Sequence, residues 1–370
     1  MKIRFAFLVF LISQSLVQAQ SDESDDNILN IKAYTDVYYA TYDTKSMQQE
    51  FLPYTAVGAR DNSFGINIAQ MGVSYSDKNV RGEFIVHMGD IPSATWSDDF
   101  PYLQVANAGF KLGESIWIDA GFFGTHLGTE SFLPKNNNLS SISFLTYHEP
   151  FFQSGVRLTW ELSDKLYGEL HLLNGYNSLV DNNDAKSLGV LLNYSINDNT
   201  SITYTNLYGR ENEDVISPDQ NRFYQNVYFD KNWDDRLFLL MGFDFGIQSN
   251  SDLDNPSKNA TMYGGLITFR YQFNDKWSST IRGEVMNDEN GFLSGVVVDD
   301  KGKSRGLEIY GLTIGAEYRP APNTYFRTEF RYAQAPDQLK IFTADAPTNS
   351  RTELLFTLGI DINRKVKLAE

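Results

Sequence analysis

Residues 152–162 read FQSGVRLTWEL, and the alternation in them decides the fold. Phe152, Val156, Leu158, Trp160 and Leu162 share one face, while Gln153, Gly155, Arg157, Thr159 and Glu161 share the other. A period of two is the signature of a strand with one apolar and one polar side. Residues 237–248 repeat it, with Leu237, Leu239, Met241, Phe243, Phe245 and Ile247 against Gly242, Asp244, Gly246 and Gln248. Residues 353–362 do so again, with Leu354, Phe356, Leu358, Ile360 and Ile362 against Glu353, Thr357, Gly359 and Asp361. Sixteen such stretches run from Ile31 to Ile362, and their connections alternate between short and long. The short ones fall at residues 76–78, 163–164, 274–275 and 320–322. A sheet with tight turns at one end and long polar loops at the other fits an all-β, antiparallel, up-and-down barrel standing in an outer membrane, with the short turns on the periplasmic side.

The composition agrees with export. Lys2 and Arg4 precede the apolar run at residues 5–12, and Val17-Gln18-Ala19 offers a small-residue cleavage site, so residues 1–19 read as a secretory signal. Residues 20–30 are then a short periplasmic lead, 31–363 the barrel and 364–370 a periplasmic tail. With no cysteine anywhere, disulfides, thiolate metal sites and a lipoprotein anchor are excluded. The mean hydropathy of −0.35 does not argue against a membrane, because a barrel strand gives lipid only half its residues. The net charge of −16, concentrated in loops, makes nucleic acid an unsuitable partner. Aromatics are abundant, with 21 Tyr and 26 Phe, and Tyr75, Trp160, Tyr194, Tyr271, Phe273, Trp277 and Tyr318 gather beside the short turns. Such a girdle belongs where hydrocarbon meets headgroups, so outer-membrane lipid is the expected surround.

Sixteen strands leave room for a water-filled lumen. The alternation turns Lys32 and Asp36 inward on the first strand and Arg81, Glu83 and His87 on the third. Asp119, Arg157, Glu161, Glu169 and His171 follow on the fifth to seventh, and Arg270, Arg282, Glu284, Glu317, Arg319, Arg327, Glu329 and Arg331 on the twelfth to fifteenth. Two readings of this wall are open: an arginine ladder facing Asp119, Glu161 and Glu169 across the pore, or cross-strand ion pairs that hold the wall together. In the second strand the apolar phase shifts from Ile66 and Ile68 to Met71 and Val73, which either a bulge or a misplaced strand boundary would explain. The longest connection, residues 126–150, carries Leu139, Ile142, Phe144, Leu145 and Tyr147, too apolar for water, and residues 137–148 could form a short helix. Folding into the barrel mouth would bury them and build a constriction lined by His126, Glu130, Lys135, His148 and Glu149. Packing over the rim or onto a second subunit is the competing arrangement.

Residues 67–83 (NIAQMGVSYSDKNVRGE), 106–132 (ANAGFKLGESIWIDAGFFGTHLGTESF) and 140–160 (SSISFLTYHEPFFQSGVRLTW), with Leu173-Asn174-Gly175-Tyr176 beyond, resemble the β-barrel porin family of OmpL-like, porin-2 type proteins of Bacteroidota outer membranes. The resemblance implies a channel passing small hydrophilic solutes or ions by diffusion, with no cofactor, no metal and no catalytic residue. Two features depart from the general porins of proteobacteria: the chain ends Lys367-Leu368-Ala369-Glu370 instead of on an aromatic residue, and the third loop lacks a Pro-Glu-Phe-Gly-Gly type of sequence. A homotrimer is therefore left open.

Other functions find weaker support. An outer-membrane enzyme has only His87, His126, His148 and His171 as candidate bases and no Gly-x-Ser-x-Gly elbow. A plugged barrel serving as an adhesin or solute receptor draws on the acidic runs at residues 181–184 and 252–256, which polar turn chemistry also explains. Energy-coupled import would call for a plug domain ahead of the first strand, where only residues 20–30 are available.

Overall fold

The computed structural model describes residues 27–44, 51–213, 215–342 and 347–368, so the expected signal at 1–19 and most of the lead at 20–30 lie outside the described residues. Sixteen antiparallel strands close into one barrel: β1 (Ile28–Tyr42), β2 (Ser63–Ser76), β3 (Val80–Met88), β4 (Leu103–Lys111), β5 (Ile116–Gly124), β6 (Phe152–Ser163), β7 (Leu166–Leu173), β8 (Ser187–Asn197), β9 (Thr200–Arg210), β10 (Asn221–Trp233), β11 (Leu237–Gln248), β12 (Ala260–Asn274), β13 (Trp277–Asp288), β16 (Leu307–Ala321), β17 (Thr324–Gln334) and β18 (Ser350–Lys367). Two further short strands, β14 (Val297–Val298) and β15 (Ser304–Arg305), form a separate hairpin within the loop after β13. Closure is made by β1 on β18, from Ile28 opposite Lys367 to Tyr42 opposite Glu353, so among the described residues the barrel sheet has no unpaired edge. The first strand thus begins three residues before Ile31 and the last runs on through Arg364–Lys367, because each end supplies the other's hydrogen-bonding partner.

Lipid-facing positions follow the alternation. Met241, Phe243, Ile267, Phe269, Ile281, Ile314, Phe330, Leu358 and Ile360 are exposed on the outer face, and Tyr194, Tyr271, Phe273 and Trp277 are exposed beside the short turns. A bulge is present in the second strand, between Ile66 and Ile68 and not after Ile68: β1 and β2 slip register between Asp36 and Val37, turning Ile68 inward and leaving Asn67 as the extra residue. Its buried amide donates to Asp36 Oδ1 at 2.6 Å and accepts from the Gly58 amide at 2.7 Å, which ties the first loop inward.

The inner face is less polar than the alternation suggests. Towards the long-loop end its inward positions turn apolar, with Leu173, Leu207, Met262, Met286, Leu307 and Ile309 all buried. Phe152, expected on the lipid face, is only 2% exposed and lies 4.4 Å from Trp96, because the incoming loops bring Trp96 and Phe132 over the end of β6. Short helix α1 (Asp90–Thr95) carries Ile91 into the same cluster.

The outward assignment makes a prediction for Phe243, which is 51% exposed. Phe243→Arg should cost about 2–4 kcal/mol near the bilayer midplane, read from equilibrium unfolding in lipid vesicles. Stability equal to wild type would contradict a lipid-facing β11.

Candidate functional site

The loop between β5 and β6 does not stay on its own side of the barrel. From its roots it crosses the lumen and docks on β13, β16, β17 and β18, about half the ring away. Its residues are almost all buried, and its helical content is smaller than the expected 137–148. One 3-10 turn spans Pro134–Asn136, and α2 covers only Phe144–His148, where Ser143 accepts from the Thr146 amide as N-cap. Residues 137–142 run as irregular bends instead, with backbone groups of Asn137, Asn138, Ser140 and Ser141 bonded to side chains of the wall.

Two arginines do most of the holding. Arg282, 0% exposed, donates to the Ser141 carbonyl at 2.7 Å and to Glu130 Oε1 at 2.8 Å, while its other terminal nitrogen lies 3.3 Å from Glu284. Arg327, 2% exposed, donates to the carbonyls of Pro134 and Asn137, each at 2.8 Å, and through Nε to Glu317 at 2.7 Å. Carboxylates take the loop's amides in return. Glu329 accepts from the Ser140 amide and from the Ser141 hydroxyl, the latter at 2.6 Å, and Glu284 accepts from the Phe144 amide at 2.6 Å. Arg331 pairs with Glu284 at 3.0 Å and lies over the Phe144 ring, 4.0 Å from its centroid. Burial on this scale is tolerable because each charged group has an opposite charge or several hydrogen bonds, although Arg282 Nε, Arg331 Nε and the Asn138 side chain are buried without a hydrogen-bond partner.

Glycines on the wall make room for the docked side chains. A Cβ on Gly189 would stand 2.5 Å from the His126 ring, and one on Gly315 would stand 2.5 Å from Leu139 Cδ2. His126 stacks on His171 at 4.1 Å and touches the Asn206 carbonyl at 2.8 Å through Nε2. Nε2 must therefore carry the proton, and Nδ1, 2.9 Å from the Gln153 side-chain amide, accepts if that amide presents its otherwise unpartnered NH2. Burial, with the neighbouring His171, pushes the His126 pKa down to about 3. His148 Nδ1 donates to the Phe144 carbonyl at 2.7 Å, and burial lowers its pKa too. Lys135 reaches Asp361 at 2.7 Å, and its amide donates to Tyr34 Oη.

Most of the other expected wall residues are locally partnered, Glu161 and His87 being the exceptions. Lys32 meets Glu83 at 2.6 Å, Asp119 is shared by Arg81 and Arg157, and Glu169 meets His171 at 2.7 Å. Glu317 is shared by Arg270, Arg319 and Arg327. Glu161 is exposed near the short turn after β6, Asp36 is buried among Tyr34, Tyr325 and Asn67, and His87 packs edge-on to Trp96 at 4.4 Å. Of the two readings of the arginine wall, this geometry is that of cross-strand and loop-to-wall ion pairs. The sequence reading missed Arg351, which is fully buried, pairs with Glu353 at 2.7 Å and donates to the Pro53 carbonyl of the first loop. Its phase with Glu353 and Thr357 was the available signal. It also passed over the buried Tyr34–Tyr325 pair, whose hydroxyls are 2.6 Å apart.

A closed sixteen-stranded barrel with an apolar outer belt and a loop folded across its lumen is an outer-membrane porin, the class of barrel that passes solutes by diffusion. The chain belongs to the family described as "Putative beta-barrel porin-2, OmpL-like", whose model matches residues 28–363. No curated protein matches it. Among solved structures it is similar to an anion-selective porin from Comamonas acidovorans (7% identity, TM-score 0.59, covering 91% of this chain and 100% of that one). It is also similar to the outer-membrane channel DcaP of Acinetobacter baumannii (10%, 0.58, 92% and 99%) and to OmpT of Vibrio cholerae in its trimer form (12%, 0.56, 91% and 100%). At these identities the likeness is one of fold.

Arg282→Met should cost about 3–5 kcal/mol, since it strands Glu130 and leaves Glu284 with Arg331 alone. Unfolding in urea checks this, and adding Glu130→Gln should recover part of the loss. For His126 the sign follows from its depressed pKa: the docked loop is fully stable above about pH 6.5 and loses roughly 1.4 kcal/mol per unit as pH falls towards 3. The stability difference between wild type and His126→Gln should therefore shrink steadily below pH 6.5, and a constant difference would contradict a neutral, buried imidazole.

Proposed function

We propose that this porin passes small hydrophilic solutes and ions through the part of the lumen that the β5–β6 loop leaves free, with that loop as its constriction and no catalytic step. The observation carrying this reading is the docking of the loop across the lumen by Arg282 and Arg327. The inward charges that keep some exposure are Lys32, Glu83, Arg81, Arg157, Lys135, Arg319, Asp361 and Glu161. We take these as the pore lining, together with the edge of the docked loop. Five basic groups against three acidic ones leave a small positive excess there, which favours a weak preference for anions despite the acidic net charge of the chain. A homotrimer is the assembly we propose, supported by the fold shared with OmpT of Vibrio cholerae, itself solved as a trimer form.

A second reading has its own observation. The first loop also folds inward, with Leu52, Ala56, Val57 and Ala59 buried, so the packed loops could close the barrel and leave a surface receptor or adhesin.

Planar-bilayer recording of the refolded protein separates the two. A porin gives stable ohmic steps, a small reversal potential of anion-preferring sign in a salt gradient, and larger steps once residues 137–147 are deleted. Silence from protein shown to be folded and inserted would favour the receptor.

A further inference from the structure

One pair of buried carboxylates is matched by no cation. Elsewhere in the lumen Asp119, Glu130, Glu284, Glu317 and Glu353 each meet a guanidinium. Glu149, at the end of the inward loop, and Asp244, on β11, lie within hydrogen-bonding reach of each other, and among the described residues neither is in an ion pair. Glu149 Oε2 and Asp244 Oδ2 are both buried without a hydrogen-bond partner. Around them stand the hydroxyls of Tyr224, Thr129 and Thr146 and the side-chain amide of Asn226. Tyr224 Oη lies 3.5 Å from Glu149 Oε1, and the amide of Asn226 donates to Asp244 Oδ1 at 2.5 Å and to Thr129 Oγ1 at 3.0 Å. Asn226, 1% exposed, keeps its own Oδ1 unpartnered.

Glycines allow this approach. A Cβ on Gly128, which has φ +104°, would stand 2.4 Å from Glu149 Oε2, and one on Gly242 would collide with Thr129 Oγ1. Two facing carboxylates out of water repel unless something positive sits between them. A single proton removes half the charge. A divalent ion removes all of it and also uses the orphaned oxygens of Glu149, Asp244 and Asn226.

We propose that Glu149 and Asp244 hold a hard divalent cation of the calcium class at the seam between the inward loop and the β10–β11 wall, with Asn226 and Thr129 completing its oxygen ligands. Oxygen-only donors with two carboxylates suit calcium and disfavour the softer transition metals. The ion fastens the C-terminal root of the loop, as Arg282 and Arg327 fasten its middle. Burial and the Asp244 charge raise the Glu149 pKa well above the usual carboxylate range, which fits a group that lacks its counter-charge.

The test uses the full mature chain refolded in detergent without lipopolysaccharide, stripped with a chelator at pH 7.5. Calcium titration should show one saturable site, with a midpoint of about 0.1–1 mM or tighter, and a calcium-dependent rise in melting temperature. Terbium should show tyrosine-sensitised emission, excited through Tyr224, that calcium displaces. Glu149→Gln with Asp244→Asn should abolish the site, and Asn226→Ala, which keeps both carboxylates, should weaken it if the double variant does not fold. Wild type and variants binding calcium alike would assign the ion to surface loops and overturn the proposal. So would absence of binding together with a calcium-independent gain in stability in Glu149→Gln, which would mark a shared proton.

Discussion

The guanidinium groups of Arg282 and Arg327 bind loop carbonyls from the far side of the barrel, and the interior is organised around that contact. An apolar segment in a porin mouth has no reason to cross the lumen unless its backbone is satisfied there, because unpaired amides and carbonyls out of water cost more than the apolar burial gains. β13 and β17 supply what is needed: arginines for the carbonyls, Glu284 and Glu329 for the amides. The same contacts neutralise the wall, so charges that would be unaffordable alone become mutually satisfied in one network.

The barrel accordingly has two interiors. Near the short turns its inward side chains are charged, paired and partly wet, whereas towards the long loops they are Leu, Met, Ile and Phe packed against the inward loops. The loop's docked state rests on many bonds made together, so its release is expected to be cooperative rather than graded.

Much of this was legible in the sequence. The period-two pattern carried sixteen strands, the phase slip between Ile66/Ile68 and Met71/Val73 signalled a bulge that lies at Asn67, and the apolar content of residues 126–150 carried the inward loop. Each of these is local, set by side-chain alternation or by solubility. What stayed hidden depends on closure. Phe152 obeys the alternation and is buried all the same, because Trp96 and Phe132 arrive from loops distant in sequence. Arg282 and Arg327 could be placed inward, but their partners lie 141 to 193 residues away, fixed by where a loop of that length lands. Residues 137–142, expected to start a short helix, form irregular bends because the wall takes their backbone groups. Arg351 shared its phase with Glu353 and was still missed, since nothing local showed that the first loop would turn inward to meet it.

The central claim, that the β5–β6 loop rests on the far wall of the barrel, can be tested by cross-linking. Ser140 Oγ of the loop lies 2.7 Å from Thr357 Oγ1 of β18, and the chain has no cysteine to compete. Ser140→Cys with Thr357→Cys should form a disulfide readily in the folded barrel, seen as a mobility shift on gels, while single-channel conductance stays at the wild-type value. Failure to cross-link, or a conductance that changes once the bond forms, would contradict a loop docked across the lumen.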